Sequence, residues 1–257
     1  MSDGERVRVE AALFVTCLVD QFYPEVGEST VRVLRRLGTE VNFPPGQTCC
    51  GQTAFNSGFW SEARPMARRF LEIFRDASYI VTPSGSCASM VRVFYQDLLD
   101  GDRELLRQAR DIGSRVYELS EFIVDVLGIK DPFDDEKPAD RSVGVRVAYH
   151  ESCHLRRELG TVVQPRTLIS ASPAVSLVEM EKADVCCGFG GTFSVKYPDI
   201  SGAMLKDKVR SIEMSGANAV VACDSSCLMQ IAGGLESQGV GVRPIHLAQL
   251  LDEGISI

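Results

Sequence analysis

The chain has 257 residues, of which 45% are hydrophobic and 24% are charged, so it is long and apolar enough to bury a sizeable core. Its 35 Asp and Glu residues outnumber its 27 Lys and Arg residues, which argues against a non-specific nucleic-acid surface that works by neutralising phosphates. No stretch approaches the ~20 uninterrupted apolar residues of a membrane-spanning helix. The acidic start of the sequence, without a long apolar run, predicts no secretory signal and hence a cytoplasmic protein.

The first half of the sequence alternates between short apolar runs and amphipathic stretches. Residues 11–16 are a short apolar run, which predicts a buried parallel strand. Residues 24–37 carry one apolar stripe and stop at a glycine, which predicts a helix. A short strand is predicted at residues 40–43, a helix with a longer stripe at residues 66–77, and another strand at residues 79–82. This alternation is typical of an α/β unit.

The second half repeats this order, with three further strands and a helix. Each half also closes with a short strand that runs into an amphipathic helix. The ranges are 145–149, 175–178 and 219–222 for the strands, 205–212 for the helix, and 117–123 and 245–251 for the two closing segments. The repeated order indicates a duplicated α/β unit.

Acidic residues and prolines are concentrated at residues 131–141, which predicts a linker between the two halves. The first unit is therefore predicted at residues 1–130 and the second at residues 142–257. The fold class that follows is α/β, with two tandem, pseudo-symmetric Rossmann-like units. Their sheets are predicted to be parallel, with the cysteines at the carboxyl ends of the strands.

The nine cysteines fall into two copies of one pattern: a lone Cys, then Cys-Cys-Gly, then Cys again. Where the second copy has one further cysteine, the first copy has Pro83. The first copy consists of Cys17, Cys49, Cys50 and Cys87, and the second copy of Cys153, Cys186, Cys187, Cys223 and Cys227.

An odd number of cysteines without a secretory signal argues against a disulfide scaffold and favours metal or redox use. Single cysteines are often buried structural thiols, but two adjacent pairs with matching flanks are hard to obtain from core packing alone. In open α/β sheets, ligands bind beyond the carboxyl ends of the strands, where these thiols are expected to converge. Soft thiolates select iron-sulfur clusters, zinc or copper(I). Zinc sites usually take pairs of cysteines with a few residues between them, as in Cys-x2-Cys, and adjacent cysteines fit this pattern poorly. An iron-sulfur cluster is therefore favoured.

The duplicated pattern resembles the cysteine-rich CCG domain found in heterodisulfide reductase, in the iron-sulfur subunit of glycolate oxidase and in anaerobic glycerol-3-phosphate dehydrogenase. A closer resemblance, over nearly the whole chain, is to the lactate-utilisation protein A family, through residues 17–27, 47–58, 83–87 and 186–193. This resemblance implies an iron-sulfur electron-transfer subunit of a complex that oxidises L-lactate to pyruvate. It also implies a ferredoxin-like iron-sulfur partner and a third small subunit, through which the protein would contact the inner face of the membrane peripherally.

In heterodisulfide reductase, the five-cysteine motif that resembles the second copy binds an unusual noncubane 4Fe-4S cluster. The resemblance therefore implies one cluster site made by all five cysteines of the second copy. Because Pro83 has no thiol, the first copy holds a four-ligand cluster, a cluster completed by another atom, or none. One or two clusters per chain are expected.

Three alternatives remain open on sequence grounds. The protein could serve a glycolate or other 2-hydroxy-acid oxidase, reduce a disulfide at the second cluster as an enzyme in its own right, or be a zinc-stabilised assembly subunit. The chain has no flavin fingerprint, nucleophile elbow or Walker loop, so a non-catalytic electron-transfer role is expected. His150 and His154 flank Cys153 and are candidate ligands, proton carriers or hydrogen-bond donors, or else ordinary polar residues near a strand end. His246 is expected to be structural.

Overall fold

The computed structural model describes residues 9–133, 144–173 and 175–253. Each half of the chain forms a four-stranded sheet in which every pairing is parallel. The first sheet contains β1 (Glu10–Leu13), β2 (Glu40–Asn42), β3 (Ile80–Thr82) and β4 (Val116–Glu118), and the second contains β5 (Val145–His150), β6 (Val175–Val178), β7 (Ala219–Ala222) and β8 (Arg243–His246). The predicted class, two tandem α/β units with parallel sheets, is confirmed.

Parallel strands require crossover connections, and helices supply them in both units. The helices of the first unit are α1 (Cys17–Phe22), α2 (Pro24–Arg36), α3 (Gln52–Asn56), α4 (Trp60–Ile73), α5 (Gly85–Ser89), α6 (Tyr95–Leu98), α7 (Arg103–Gly113) and α8 (Leu119–Glu121), with π-helical turns at Met90–Phe94 and Phe122–Val126. Those of the second unit are α9 (Cys153–Arg157), α10 (Val163–Ala171), α11 (Phe193–Lys196), α12 (Pro198–Met214), α13 (Ser225–Ser237) and α14 (Leu247–Glu253). Within the described residues, no helix is both long and apolar enough to cross a bilayer.

The strand order creates one crevice in each unit. The orders are β2-β1-β3-β4 and β6-β5-β7-β8, so the chain moves to one side of its first strand and then returns to the other side. Such a reversal separates the loops after β1 and β3, and likewise those after β5 and β7. This topological switch point is where open α/β sheets bind ligands. The fold therefore offers two equivalent ligand positions.

Two predicted elements end earlier than the apolar patterns indicate. The first strand stops at Leu13 rather than continuing to residue 16, because the Val15 N–H donates to Gln47 Oε1 at 3.0 Å instead of to a neighbouring strand. The helix α4 ends at Ile73, although Phe74 beyond it remains buried in the same core. In both places, the residue that follows the regular element is still buried in the core.

The two units share a hydrophobic core. The helices α2 and α14 pack together, and residues such as Leu34 and Leu250 belong to one buried cluster. Arg32 Nε also lies 2.7 Å from Asp252 Oδ2 across this contact. Apart from its first three residues, the predicted linker at residues 131–141 lies outside the described residues. The division into units at residues 130 and 142 stays a prediction.

The loops after β3 and β7 meet each other between the units. Ser84 and Asp224 form an isolated antiparallel bridge. The buried Asp224 carboxylate accepts a hydrogen bond from the Ser86 N–H at 2.7 Å and another from the Ser86 hydroxyl at 3.1 Å. Hydrogen bonds to a buried carboxylate are stronger than those between neutral groups. This contact ties together the two loops that lead to Cys87 and Cys227.

His246 strengthens the same contact from the other side. It is fully buried, its Nδ1 accepts a hydrogen bond from the Ala248 N–H at 3.1 Å, and its Nε2 lies 3.1 Å from the Pro83 carbonyl oxygen. Burial lowers the pKa of His246 to about 4, so the ring is neutral and the tautomer protonated on Nε2 satisfies both contacts. These contacts agree with the structural role expected for His246.

One buried carboxyl group makes folding stability depend on pH. Glu118 ends β4 and accepts a hydrogen bond from the Ser120 N–H at 2.8 Å, and burial raises the pKa of this carboxyl group to about 8. The folded chain thus retains a proton that the unfolded chain releases, so stability falls as the pH rises toward 8. We expect the free energy of unfolding to fall by about 2–4 kcal/mol between about pH 5 and 8. We expect urea denaturation at several pH values to show that the unfolding free energy of Glu118→Gln changes less with pH than that of the wild-type protein. An equal change with pH in the two proteins would contradict the assignment.

Candidate metal centre

Four thiols of the first copy meet at the switch point of the first sheet. Cys17 begins α1 after β1, Cys87 lies in α5 after β3, and the adjacent Cys49 and Cys50 lie in the loop before α3. The sulfur atoms of Cys17 and Cys49 are 3.6 Å apart, and those of Cys50 and Cys87 are 3.4 Å apart. We call these four residues the first thiol set. Their approach shows that the Cys-Cys pair joins the loops on either side of the crevice.

The second copy reproduces this arrangement with four of its five thiols. Cys153 begins α9 after β5 and interacts with Cys186 through its thiol. Cys227 lies in α13 after β7 and interacts with Cys187 in the same way. These four residues are the second thiol set. The pairing matches that of the first set, so the duplicated sequence produces a duplicated site.

The glycine after each cysteine pair has a conformation that other residues rarely adopt. Gly51 has φ of 86° and Gly188 has φ of 90°. With this backbone, the N–H groups of Gly51 and Gly188 each donate to a cysteine sulfur at 3.4 Å, to Cys49 and Cys186 respectively. N–H donors directed at thiolate sulfur stabilise its negative charge and tune a bound metal. The Cys-Cys-Gly motif therefore supplies both ligand atoms and a hydrogen bond to one of them.

In each set, hydrogen bonds between neighbouring thiols lower the pKa of some thiols and raise the pKa of others. The hydrogen bond from Cys17, and then that from Cys50, lower the pKa of Cys49 to about 3. The hydrogen bond from Cys153, and then that from Cys187, lower the pKa of Cys186 to about 2. In contrast, the pKa of Cys17 is raised, chiefly by its hydrogen bond to Cys49. The pKa of Cys227 is also well below its usual value, chiefly because of its hydrogen bond with Cys187. Metals bind the thiolate form, so each set contains at least one thiol with a lowered pKa.

The structure does not bring Cys223 to the second thiol set. This residue is fully buried, and its sulfur lies 3.7 Å from the hydroxyl oxygen of Tyr149. It belongs to the hydrophobic cluster shared by the two units, whereas Cys187 and Cys227 belong to another cluster. Cys223 does not line the pocket that Cys153, Cys186, Cys187 and Cys227 line, and Pro83 occupies the corresponding position in the first copy.

Both thiol sets line one cavity of about 400 Å³ that lies between the units. Residues of both units close its wall: Gln52 Nε2 lies 2.8 Å from His154 Nδ1, and Ser57 Oγ lies 2.7 Å from Thr192 Oγ1. The two sites are thus not independent pockets. A group bound at one set faces the same cavity as a group bound at the other.

The two candidate histidines have different surroundings. His154 lines the cavity and is engaged by Gln52 of the first unit. His150 is fully buried, and among the described residues neither of its ring nitrogens is paired at hydrogen-bonding geometry. It interacts with the Cys227 thiol, whose pKa it helps to lower. One of its ring nitrogens lies with the sulfur atoms of Cys187 and Cys227 in a group whose members are all within 4.8 Å of one another. His150 therefore adjoins the second thiol set directly.

Lys208 is a residue of this region that the cysteine motifs do not single out. It is 2% exposed, and its ammonium group donates to the carbonyl oxygens of Lys182 and Ala183 at 2.5 and 3.3 Å, which holds the loop that leads to Cys186. Burial lowers the pKa of Lys208 to about 8. A signal is present in the sequence, because this lysine lies on the apolar stripe predicted around residues 205–212, where a charged residue needs partners.

Comparison with known proteins agrees with the duplication. Residues 11–92 and 147–232 each match the family model of the cysteine-rich domain called CCG. The matched segments together cover most of the chain and include all nine cysteines.

Relatives match over nearly their full length. Lactate utilization protein A 2 of Bacillus cereus (strain Q1) is 41% identical over 248 residues, which cover 96% of this chain and 100% of that protein. Lactate utilization protein A of Geobacillus kaustophilus (strain HTA426) is 42% identical over 244 residues, which cover 95% and 99%. The crystal structure of a hypothetical protein from Helicobacter pylori matches with a TM-score of 0.58 over 96% of this chain and 49% of that one. At 12% identity, that last match is a likeness of fold alone.

Proposed function

Because the chain belongs to the lactate utilization protein A family and contains two cysteine-rich CCG domains, we propose that it is the iron-sulfur electron-transfer subunit of a complex that oxidises L-lactate to pyruvate. The observation that carries this proposal is the convergence of two sets of four thiols on one cavity. Soft thiolate ligands at the switch points of two equivalent sheets suit a pair of redox-active metal sites.

The donor atoms fit an iron-sulfur cluster at each set. Four thiolates are the usual ligand number for one 4Fe-4S cluster, and such a cluster supplies one-electron redox chemistry when bound. Cys17, Cys49, Cys50 and Cys87 would hold the first cluster, and Cys153, Cys186, Cys187 and Cys227 the second. The N–H groups of Gly51 and Gly188 would remain hydrogen-bonded to a ligand sulfur.

Two one-electron sites suit the proposed reaction. Oxidation of lactate to pyruvate releases two electrons and two protons, and a chain with two sites on one cavity could accept both electrons. The chain has no flavin fingerprint for the hydride step, so we propose that its partners carry out that step. The proposed partners are a ferredoxin-like iron-sulfur subunit and a third small subunit. The proposed location is the cytoplasm, with peripheral contact to the inner face of the membrane through these partners.

The proposal is tested by measuring iron, acid-labile sulfide and zinc per chain after anaerobic purification, together with low-temperature EPR spectra. Two occupied sites predict about eight irons and a similar amount of sulfide per chain. About four irons would mean that one set is loaded. Zinc without iron would contradict electron transfer and favour a zinc-stabilised assembly subunit.

A disulfide reductase is a second candidate, because the cavity of about 400 Å³ opens onto both thiol sets and could admit a small disulfide. Reduction of disulfides by the isolated, iron-loaded chain with an artificial electron donor would support it. The reconstituted complex should instead show turnover with L-lactate. Faster turnover with glycolate than with L-lactate would assign the chain to a different 2-hydroxy-acid oxidase.

A further inference from the structure

The two sites differ in the residue behind the thiols. Phe14 and His150 occupy equivalent positions, each three residues before the first cysteine of its copy. Phe14 packs edge-on against Phe70 and Phe74, with ring centroids 4.9 and 5.6 Å away. These rings belong to the same hydrophobic cluster as Cys50 and Cys87 of the first thiol set. In the second site an imidazole stands at the same place.

The equivalence extends to the helix that covers each site. A side chain at Gly51 would contact Ala63 and Met66, whereas one at Gly188 would contact Ser201 and Met204. Four residues beyond each of these methionines are Phe70 in α4 and Lys208 in α12. Phe14 and Phe70 of the first unit thus correspond to His150 and Lys208 of the second, which both carry nitrogen atoms. Lys208 already donates to two carbonyl oxygens, whereas His150 is not paired at hydrogen-bonding geometry by any residue that the structure describes.

The backbone directs His150 toward the thiols. Alternate residues of a strand point to the same face, so His150 shares a face with Ala148, which packs in the same cluster as Cys187 and Cys227. Tyr149 faces the other way, into the core that also contains Cys223. Strand geometry therefore brings the imidazole to the second thiol set and takes the fifth thiol away from it.

A buried imidazole without a partner is unfavourable. Leaving a buried donor or acceptor unsatisfied costs ~1–3 kcal/mol, and native proteins pair nearly all such groups. Within the described part of the chain, neither ring nitrogen of His150 is paired at hydrogen-bonding geometry, and a ligand atom of this residue lies within 4.8 Å of the Cys187 and Cys227 sulfurs. A metal bound by those two thiolates would give one of the ring nitrogens a partner, because neutral imidazole is a good ligand for iron and zinc.

On the premise of the proposed function, we propose that His150 is a nitrogen ligand of the metal centre at the second site, alongside the Cys187 and Cys227 thiolates. The first site is then all-thiolate and the second has mixed nitrogen and sulfur ligands. Imidazole is neutral, so it would add a nitrogen donor beside the four thiolates of the second site without adding negative charge.

The test uses the full chain, purified anaerobically with its iron and labelled with ¹⁵N only in histidine. Pulsed EPR is recorded in the oxidised and the reduced state and compared with an unlabelled sample. The chain has three histidines. We expect a strong ¹⁵N coupling typical of a directly bound nitrogen, which His150→Phe abolishes and His154→Gln retains. The phenylalanine copies the residue found in the first site.

The labelled wild-type protein decides the matter even if His150→Phe folds poorly. Iron without a strong histidine coupling, or a coupling that disappears in His154→Gln instead, would overturn the ligand assignment and leave the proposed function standing. A chain purified without iron would overturn the proposed function itself. The two failures are therefore distinguished by the iron content of the same sample.

Discussion

Replacing Cys187 with serine is expected to remove the metal centre of the second thiol set and with it the activity of the complex. Cys187 is 2% exposed and its thiol interacts with both Cys186 and Cys227, so no other thiol can take its place without moving the loop. Serine is a harder ligand with a much weaker acid group. Iron should fall from about eight to about four per chain. Lactate oxidation should fall by at least ~100-fold. Mutation of residues that only hydrogen-bond to metal ligands already lowers metal affinity or activity by about 10–100-fold.

The matched control is Cys223→Ala. The resemblance to the five-cysteine motif implies that this residue is a ligand, whereas its sulfur lies beside Tyr149 in the core shared by the units. We expect unchanged iron and activity, with a loss of about 1 kcal/mol of stability from the removed buried atom. If Cys223→Ala loses as much iron as Cys187→Ser, the second site uses all five thiols. The pair of variants therefore separates a role in metal binding from a role in packing.

Substitution of Gly188 by alanine is expected to destabilise the fold and the second site together. Gly188 has φ of 90°, and an added Cβ would lie 2.8 Å from the Ser201 carbonyl oxygen. We expect a loss of about 2–4 kcal/mol, from the strained backbone and the close approach combined. The displaced N–H would also lose its hydrogen bond to Cys186. Chemical denaturation under anaerobic conditions, with iron measured in the same samples, would show both effects.

Gly202→Ala provides the comparison within the same region. Gly202 lies in α12, and an added Cβ would meet nothing within 4 Å. Alanine is the better helix former, so this variant should gain about 0.5–1 kcal/mol and keep its iron. Equal losses in the two variants would mean that α12 tolerates no added side chain. The particular requirement for glycine after the cysteine pair would then be unsupported.

Local sequence patterns were sufficient to predict most of the architecture. The strand at residues 219–222 lies where its apolar run predicts it, because a strand buried on both faces needs a continuous apolar segment. The strand at residues 175–178 also lies where it is predicted, at the edge of its sheet. Cys17 and Cys153 begin helices soon after a strand, as the chain order of the motifs predicts. The duplication could also be predicted from the sequence, because each cysteine motif has the same position relative to the neighbouring strands and helices in both halves.

Only the tertiary structure determines which residues make up each candidate metal centre. Cys223 and Cys227 are close in sequence, yet the first ends in the shared core and the second in the thiol set, because the turn from β7 into α13 points their side chains in different directions. The approach of His150 to the thiols depends in turn on which face β5 presents to α12. The common cavity depends on packing between the units, through contacts such as those of Asp224 and His246 with the opposite loop. Periodicity along a chain specifies which residues are buried, but long-range packing determines which buried residues meet.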